Sequence, residues 1–181
     1  MVTIDDPEEK RLESDLAFYP PVPQLENTNW DRFKGELYVG WEYVIVRKEF
    51  LNRYPRPNNT IPNIVVSMGG TDEKNITEFV INALNQINEQ FKATIIVGAG
   101  YPYLEQLNKN LKGVQFESEL HQNPKNIAQI MSQTDFAIIS FGQTAYELAV
   151  LSVPAIYLCL TEDHAESAIL FTTIKVGRVL G

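Results

Sequence analysis

The chain has 181 residues, of which 44% are hydrophobic, and it carries a formal net charge of −8 at pH 7. This length and composition are enough to bury the core of one domain, with some chain to spare. The acidic balance argues against a protein that coats nucleic acid or an anionic membrane surface, because both attract basic surfaces. We therefore expect no nucleic-acid partner.

No stretch reaches the roughly 18 apolar residues of a membrane span, and the acidic start 1–9 is unlike a secretion signal. The single cysteine, Cys159, lies in the apolar run 155–160 and is expected to be a small core residue. These features predict a cytoplasmic protein without an integral membrane segment.

The first sixty residues are rich in residues that break helices and strands. Prolines cluster at 20–23, and prolines and asparagines cluster at 54–59. Because proline fixes φ and lacks an amide donor, neither cluster fits inside a regular element. Between them, 43–46 predicts a short β-prone run and 47–53 predicts a turn or two of helix. The rest of 1–60 is predicted to be linker.

From Pro62 onward, apolar and β-branched runs alternate with segments of helical period. The runs are short and mostly lack alternation, which is typical of buried parallel strands. They predict strands over Asn63–Ser67, Ala93–Val97, Val114–Phe116, Phe136–Ser140 and Ala155–Leu160. The other segments predict helices over Asn75–Gln90, Pro102–Asn110, Pro124–Gln133, Gln143–Leu151 and Ala165–Lys175.

The helix over 75–90 has the clearest pattern. Asn75 and Glu78 are spaced as a capping box, and the apolar residues form one stripe. The stripe consists of Ile76, Phe79, Val80, Ala83, Leu84 and Ile87. The repeated strand and helix predict an α/β fold with a Rossmann-like doubly wound parallel sheet. Ligands of such sheets bind outside the carboxyl ends of the strands.

Two of the loops at these strand ends contain pairs of glycines. Ser67–Asp72 places Gly69 and Gly70 before a helix, whose start offers free N–H groups and the positive end of a dipole. A phosphate site and a tight turn that needs flexible residues both fit this loop. The loop Val97–Pro102 lacks the third glycine of the dinucleotide fingerprint and the acidic residue that grips a ribose, so NAD binding is not expected.

The loop and helix start at 140–147 are the most informative part of the sequence. Ser140 and Thr144 could hydrogen-bond phosphate oxygens. Glu147 would repel a phosphate, but an ionised carboxylate accepts hydrogen bonds and suits the two hydroxyls of a ribose. A glutamate that complements the helix dipole is the alternative.

Three blocks of the sequence resemble a known family. They are Gly40–Phe50, Val66–Asn75 and Gly142–Ala155, and they occur in the family's order. They are similar to the UDP-sugar hydrolase of the pseudaminic acid pathway, to spore-coat polysaccharide biosynthesis proteins and, more distantly, to the C-terminal domain of the glycosyltransferase that makes lipid II. The resemblance implies the C-terminal half of a GT-B fold, in which two Rossmann-like domains face each other across a cleft.

The resemblance implies that residues 61–181 form the nucleotide-sugar-binding domain. Residues 1–60 would be an interdomain linker with a remnant of the N-terminal domain, whose last strand and acidic turn resemble 1–6. The uracil would be held largely through backbone groups around Asn126 and Ile127, and the ribose by Glu147. The diphosphate would face Gly69, Gly70, Thr71, Ser140, Gly142, Gln143 and Thr144.

The chain also departs from the family. Where the hydrolases carry an Asn-Gln pair after the last strand, this sequence has Asp163 and His164. The two could form an acid–base pair, since histidine titrates near neutral pH, and a polar helix N-cap is the alternative. The glycine-rich loop with the family's proposed catalytic histidine has no counterpart, and the usual closing helix is missing after Gly181. We therefore expect a fragment whose partner is the missing N-terminal GT-B domain.

The leading hypothesis is the UDP-sugar-binding domain of a hydrolase-like enzyme of surface polysaccharide or nonulosonic acid biosynthesis, which alone would bind its ligand and barely catalyse. The donor-binding domain of a GT-B glycosyltransferase and a non-catalytic nucleotide-sugar-binding module are the alternatives. No cofactor and no metal are expected, because the sequence lacks the compact His, Cys and Asp spacing of a metal site.

Overall fold

The computed structural model describes residues 1–56 and 58–180. Pro57, in the second cluster of breakers, and Gly181, the last residue of the predicted nucleotide-sugar-binding domain, lie outside the described residues. In the described part of the chain, none of the helices is long and apolar enough to cross a membrane.

The described residues form two sheets and five α-helices. The strands are β1 (Val2–Ile4), β2 (Leu16–Tyr19), β3 (Glu36–Val39), β4 (Asn63–Ser67), β5 (Lys92–Val97), β6 (Glu117–Gln122), β7 (Phe136–Ser140), β8 (Ala155–Leu158) and β9 (Gly177–Leu180). The helices are α1 (Ile76–Leu84), α2 (Leu104–Leu111), α3 (Ile127–Ser132), α4 (Gln143–Val150) and α5 (Glu162–Thr173).

The larger sheet has six parallel strands in the order β6-β5-β4-β7-β8-β9. This is the strand order of the Rossmann fold, and it reverses between β4 and β7. Helices α1 and α2 pack on one face, while α3, α4 and α5 pack on the other. The predicted doubly wound sheet is confirmed, and its switch point lies between the carboxyl ends of β4 and β7.

The central strands and α4 are close to their predicted positions, but β6 is not. The strand predicted over Val114–Phe116 is wrong, because β6 begins at Glu117. Phe116 instead stacks on Phe91, with ring centroids 4.8 Å apart, just before the strand. Strand β6 is at the edge of the sheet and alternates exposed and half-buried residues, so its sequence does not read as a buried strand.

Helix α1 is shorter than predicted and turned about its axis. It ends at Leu84. The next residue, Asn85, is the C-cap, and its side-chain oxygen accepts the amide of Gln115 at 2.8 Å. Phe79, a member of the predicted stripe, is 69% exposed. The face that packs on the sheet is formed by Thr77, Val80, Ile81 and Leu84.

The first part of the chain forms a small parallel sheet in the order β1-β2-β3, with short 3-10 helices between the strands. Strands β2 and β3 were not predicted from the sequence. The β-prone run predicted over Tyr43–Val46 is also wrong. Its first residue ends a 3-10 turn, Trp41–Tyr43, and the residues after it belong to no strand of the described part of the chain.

The part of the chain that forms the small sheet contacts α5, which packs on the larger sheet. The Gln24 side chain donates to the Asp163 carbonyl oxygen at 3.1 Å and accepts from the Ser167 hydroxyl at 3.1 Å. The Trp41 ring packs edge-on against Phe171, with centroids 5.1 Å apart. These contacts set the position of the small sheet relative to α4 and α5.

Candidate functional site

A cavity of about 470 Å³ separates the ends of the two sheets. One wall is formed by Ile4 and Asp5, at the end of β1, and by Pro20, at the end of β2. The other is formed by Gly142 and Gln143, after β7. Strands of both sheets therefore direct their carboxyl ends at one cleft, and its volume is that of a small-molecule site.

The N-terminus of α4 opens onto this cleft with free backbone donors. Its N-cap is Gly142, and no side chain in the described part of the chain caps the helix. The amide of Ala145 donates to the Gly142 carbonyl oxygen at 2.9 Å, and the amides of Gln143 and Thr144 have no hydrogen-bond acceptor among the described residues. Together with the positive end of the helix dipole, these amides form a site suited to an anion.

The N-terminus of α1 is different, because a carboxylate already occupies it. Asp72 accepts the amides of Ile76 and Thr77 at 2.8 Å each. The predicted capping box therefore does not cap the helix, since Asn75 lies in the left-handed region with φ 53° and its side-chain oxygen accepts the Tyr101 hydroxyl at 2.6 Å. Helix α1 does not offer these two amides to a phosphate.

The glycine loop after β4 nevertheless lies beside the loop after β7. Gly69 has φ 88°, which favours glycine, and a Cβ added to it would lie 3.6 Å from the Ser140 hydroxyl. Gly70 and Thr71 are exposed. The structure thus brings the two predicted phosphate-facing loops together at the switch point.

The second pair of glycines has a packing role. A Cβ at Gly98 would lie 2.0 Å from the carbonyl oxygen of Gly70, so the loop after β5 passes directly against the loop after β4. A Cβ at Gly100 would lie 3.2 Å from Thr71. Glycine is needed at Gly98 for this close approach of two backbones.

Glu147 is bound by an arginine that the sequence analysis missed. Its side chain is 1% exposed, and its oxygens accept from Arg47 Nε at 2.7 Å and Arg47 Nη2 at 2.9 Å. The hydrogen bonds to Glu147 raise the pKa of the Arg47 guanidinium. In addition, Gln143 donates to the Ile45 carbonyl oxygen at 2.6 Å, so the segment 45–47 lies along the first two turns of α4.

The other predicted contacts are spread along the same edge of the large sheet. Asn126 is the exposed N-cap of α3, and Ile127 packs against the core beneath it. Helix α3 contacts α4, so both helix starts belong to one side of the sheet. Asn126 and Ile127 therefore lie on the same side of the larger sheet as the start of α4.

Asp163 and His164 occupy the first turn of α5 but do not form a pair. Consecutive helical residues point in different directions, and in the described part of the chain the only hydrogen bond at Asp163 is made by its backbone oxygen. Thr161 caps the helix by accepting the His164 amide at 3.2 Å. The His164 ring lines the cleft, and its buried Nδ1 has no hydrogen-bond partner among the described residues.

Sequence reasoning missed Arg47 and the two cleft residues Asp5 and Tyr146. A carboxylate among the apolar residues of α4 signals that a partner exists, but no local pattern identifies an arginine 100 positions away. Asp5 could have been found from its place after a short β-prone run. Among the described residues, no group of three or more His, Cys, Asp and Glu side chains could hold a metal ion.

No protein-family model matches the chain. The uncharacterized protein MJ1062 of Methanocaldococcus jannaschii is 30% identical over 127 residues, which is 69% of this chain and 26% of that protein. The UDP-2,4-diacetamido-2,4,6-trideoxy-beta-L-altropyranose hydrolase of Campylobacter jejuni is 27% identical over 142 residues, or 75% of this chain and 48% of that protein. The spore coat polysaccharide biosynthesis protein SpsG of Bacillus subtilis is 26% identical over 152 residues, or 80% of this chain and 44% of that protein.

Solved structures with the same fold include glycosyltransferases. MurG of Acinetobacter baumannii superposes with a TM-score of 0.64 at 16% identity, covering 92% of this chain and 47% of MurG. The spinosyn rhamnosyltransferase SpnG complexed with thymidine diphosphate gives a TM-score of 0.59 at 14% identity, covering 92% of this chain and 43% of SpnG.

The chain is therefore a distant homologue of the UDP-sugar hydrolases and of SpsG, and its fold matches about half of a GT-B glycosyltransferase. It spans 48% of the hydrolase, 44% of SpsG and 26% of MJ1062.

Proposed function

We propose that this chain binds the nucleoside diphosphate of a UDP-sugar at the N-terminus of α4, as the donor-binding half of an enzyme that hydrolyses the sugar from UDP. The observation that carries the proposal is the uncapped start of α4, which faces the cleft between the carboxyl ends of two parallel sheets. Distant homology to a UDP-sugar hydrolase supports the choice of ligand and reaction.

The diphosphate would be held by neutral donors. Its oxygens would accept from the amides of Gln143 and Thr144 and from the hydroxyls of Ser140 and Thr144. Gly69 lies against Ser140 and lets the backbone approach the ligand closely. This chemistry suits an acidic protein, because a helix start binds phosphate without a lysine.

The ribose would lie one turn further along α4, at Glu147. Each carboxylate oxygen has two lone pairs and gives one to Arg47, so it can accept a further hydrogen bond. Because the Glu147 side chain is 1% exposed, the ribose hydroxyls reach it only if Arg47 shifts outward. The Arg47 side chain is 53% exposed and has solvent to move into. Asn126 and Ile127 would hold the uracil.

Water or an acceptor hydroxyl would then attack the sugar in the cleft. The donor site fixes the diphosphate leaving group, and such positioning can lower the barrier by several kcal/mol. Transfer to a sugar or lipid acceptor is the second candidate function, and it is supported by the structural likeness to glycosyltransferases. Both reactions use the same donor site.

Calorimetric titration of the chain with UDP tests the proposal, with ADP and GDP as controls. We expect UDP to bind and the two purine nucleotides to bind more weakly, because the site at Asn126 and Ile127 is proposed to fit uracil. Equal binding of all three would refute the uracil assignment. No binding of any nucleoside diphosphate would refute the donor site.

The ribose assignment predicts a preference for ribose over deoxyribose. We expect 2′-deoxy-UDP to bind roughly tenfold more weakly than UDP, because a hydrogen bond to a charged group contributes about 1.5–3 kcal/mol. The protein is the same in both measurements, so the two titrations differ only in the 2′-hydroxyl of the ligand. Equal affinity for the two ligands would show that Glu147 does not take the 2′-hydroxyl.

A further inference from the structure

Asp5 stands at the end of β1, on the wall of the cleft that faces α4. Its φ of 47° lies in the left-handed region, and its amide donates to the Phe18 carbonyl oxygen at 2.9 Å, which extends the pairing of β1 with β2. A left-handed aspartate is uncommon and is held here by the surrounding sheet. The backbone therefore fixes Asp5 at the mouth of the cavity.

The neighbouring residue, Asp6, differs from Asp5 in its hydrogen bonds. Asp6 accepts the amide of Glu8 at 2.9 Å on its carboxylate and the Tyr19 hydroxyl at 2.7 Å on its carbonyl oxygen, so it stabilises the turn. Among the described residues, the Asp5 carboxylate has no hydrogen-bond donor. Asp5 instead lines the cleft, while Asp6 does not.

The groups that face Asp5 come from several elements. Tyr146 of α4 and His164 of α5 line the same cavity, as does Tyr43 of the 3-10 turn. Burial raises the pKa of Tyr146 to about 12, and the negative charge of Asp5 makes a smaller contribution in the same direction. Burial also raises the pKa of Asp5 above its ordinary value. No cation pairs with Asp5 in the described part of the chain.

The cleft therefore has donors on one wall and a carboxylate on the other. A displacement at the anomeric carbon with water requires the leaving diphosphate on one side of the sugar and a proton acceptor on the opposite side. The amides of Gln143 and Thr144 suit the leaving group. His164 belongs to α5 and these amides to α4, both packed on the larger sheet, whereas Asp5 follows β1 of the small sheet on the other side of the cleft.

We propose that Asp5 is the general base of this cleft and accepts the proton of the attacking water. The oxygen of the water forms the new bond to the anomeric carbon as its proton passes to the carboxylate. The bond from that carbon to the diphosphate oxygen breaks, and its electron pair leaves on UDP. The assignment rests on the proposed function, since it needs the diphosphate at α4.

The first test is a carbon-13 NMR titration of the Asp5 and Asp6 carboxyl groups, with and without saturating UDP. Negative charge across the cavity disfavours the ionised carboxylate, so we expect UDP to raise the pKa of Asp5 by about half a unit or more and to change that of Asp6 less. An Asp5 pKa that stays the same while UDP is bound would overturn the assignment. A chain that binds no UDP would overturn the proposed function instead.

The second test is hydrolysis of UDP-N-acetylglucosamine, used as a probe and followed by release of UDP. Asp5→Asn is expected to lower the rate by about 100-fold or more and to remove the acid limb of the pH profile, since a general base contributes roughly 10²–10⁴-fold. Asp6→Asn changes the same charge one residue away and should retain the natural rate. Equal rates for the Asp5→Asn variant and the natural chain, including no hydrolysis above the uncatalysed rate by either, would contradict the proposal.

Asp5→Asn is also expected to stabilise the fold at neutral pH. Because burial raises the pKa of Asp5, the folded state holds the proton more firmly than the unfolded state, and stability is lost as pH rises through that pKa. Asparagine tolerates the left-handed backbone and carries no charge. The variant should therefore show a higher Tm than the natural chain at pH 7 and an equal Tm at pH 3, measured by thermal denaturation.

Discussion

A Gly142→Asp variant is expected to fold as well as the natural sequence and to bind UDP on the order of 100-fold more weakly. Gly142 has φ 162°, which is extended backbone that any residue adopts, and an added Cβ would meet no atom within 4 Å. Aspartate is a better helix N-cap than glycine. Its carboxylate would accept the free amides of α4 and would repel the diphosphate from the same position.

Thermal denaturation and calorimetry of this variant separate folding from binding. We expect the Tm to stay the same or rise slightly, while the affinity for UDP falls. Gly142→Asn is the matched control, because it also caps the helix but carries no charge, and its affinity should lie between those of the Asp variant and the natural chain. An Asp variant that binds UDP as tightly as the natural chain would remove α4 from the binding site.

An Arg47→Met variant is expected to lower the free energy of unfolding by about 2 kcal/mol. The Glu147 carboxylate is 1% exposed and receives two hydrogen bonds from Arg47, so the variant leaves a buried charge without its partner. The Arg47 side chain is 53% exposed, and solvent screening keeps the loss below the 3–5 kcal/mol typical of a fully buried pair.

A double-mutant cycle isolates this pair. Urea denaturation would be measured for Arg47→Met, Glu147→Gln and the variant that carries both substitutions. We expect the double variant to be more stable than the sum of the single losses predicts, because neutral Glu147→Gln no longer needs a cation. Arg47→Lys retains the charge but not the paired hydrogen bonds to Glu147. Its free energy of unfolding should lie between those of Arg47→Met and the natural chain. Strict additivity of the two single losses would show that the contact contributes nothing.

The central strands of the larger sheet could be predicted from sequence because their side chains are buried in the core. Val65 and Val66 in β4 and Ile139 in β7 have almost no exposed surface, and such strands read as continuous apolar runs. The edge strand β6 was missed for the opposite reason, since one side of it is open and its residues are mostly polar. The phosphate-facing loops were identified because their glycines follow these buried strands.

The electrostatic detail of the site could not be predicted in the same way. The Arg47–Glu147 pair joins residues 100 positions apart, and Asp72 caps α1 from outside the helix, in place of the predicted Asn75. Both contacts depend on where the chain returns in space. The sequence offers two helix starts as anion sites, those of α1 and α4. In the structure Asp72 occupies the start of α1, so the start of α4 is the candidate that remains.

Mapping of amide chemical shifts by nitrogen-15 NMR during a UDP titration tests the diphosphate site most directly. We expect the largest changes at the amides of Gln143 and Thr144, which donate to no acceptor among the described residues. The amides of Ile76 and Thr77, which Asp72 already accepts, should change little. Changes concentrated at Ile76 and Thr77, with none at the start of α4, would contradict the proposed site.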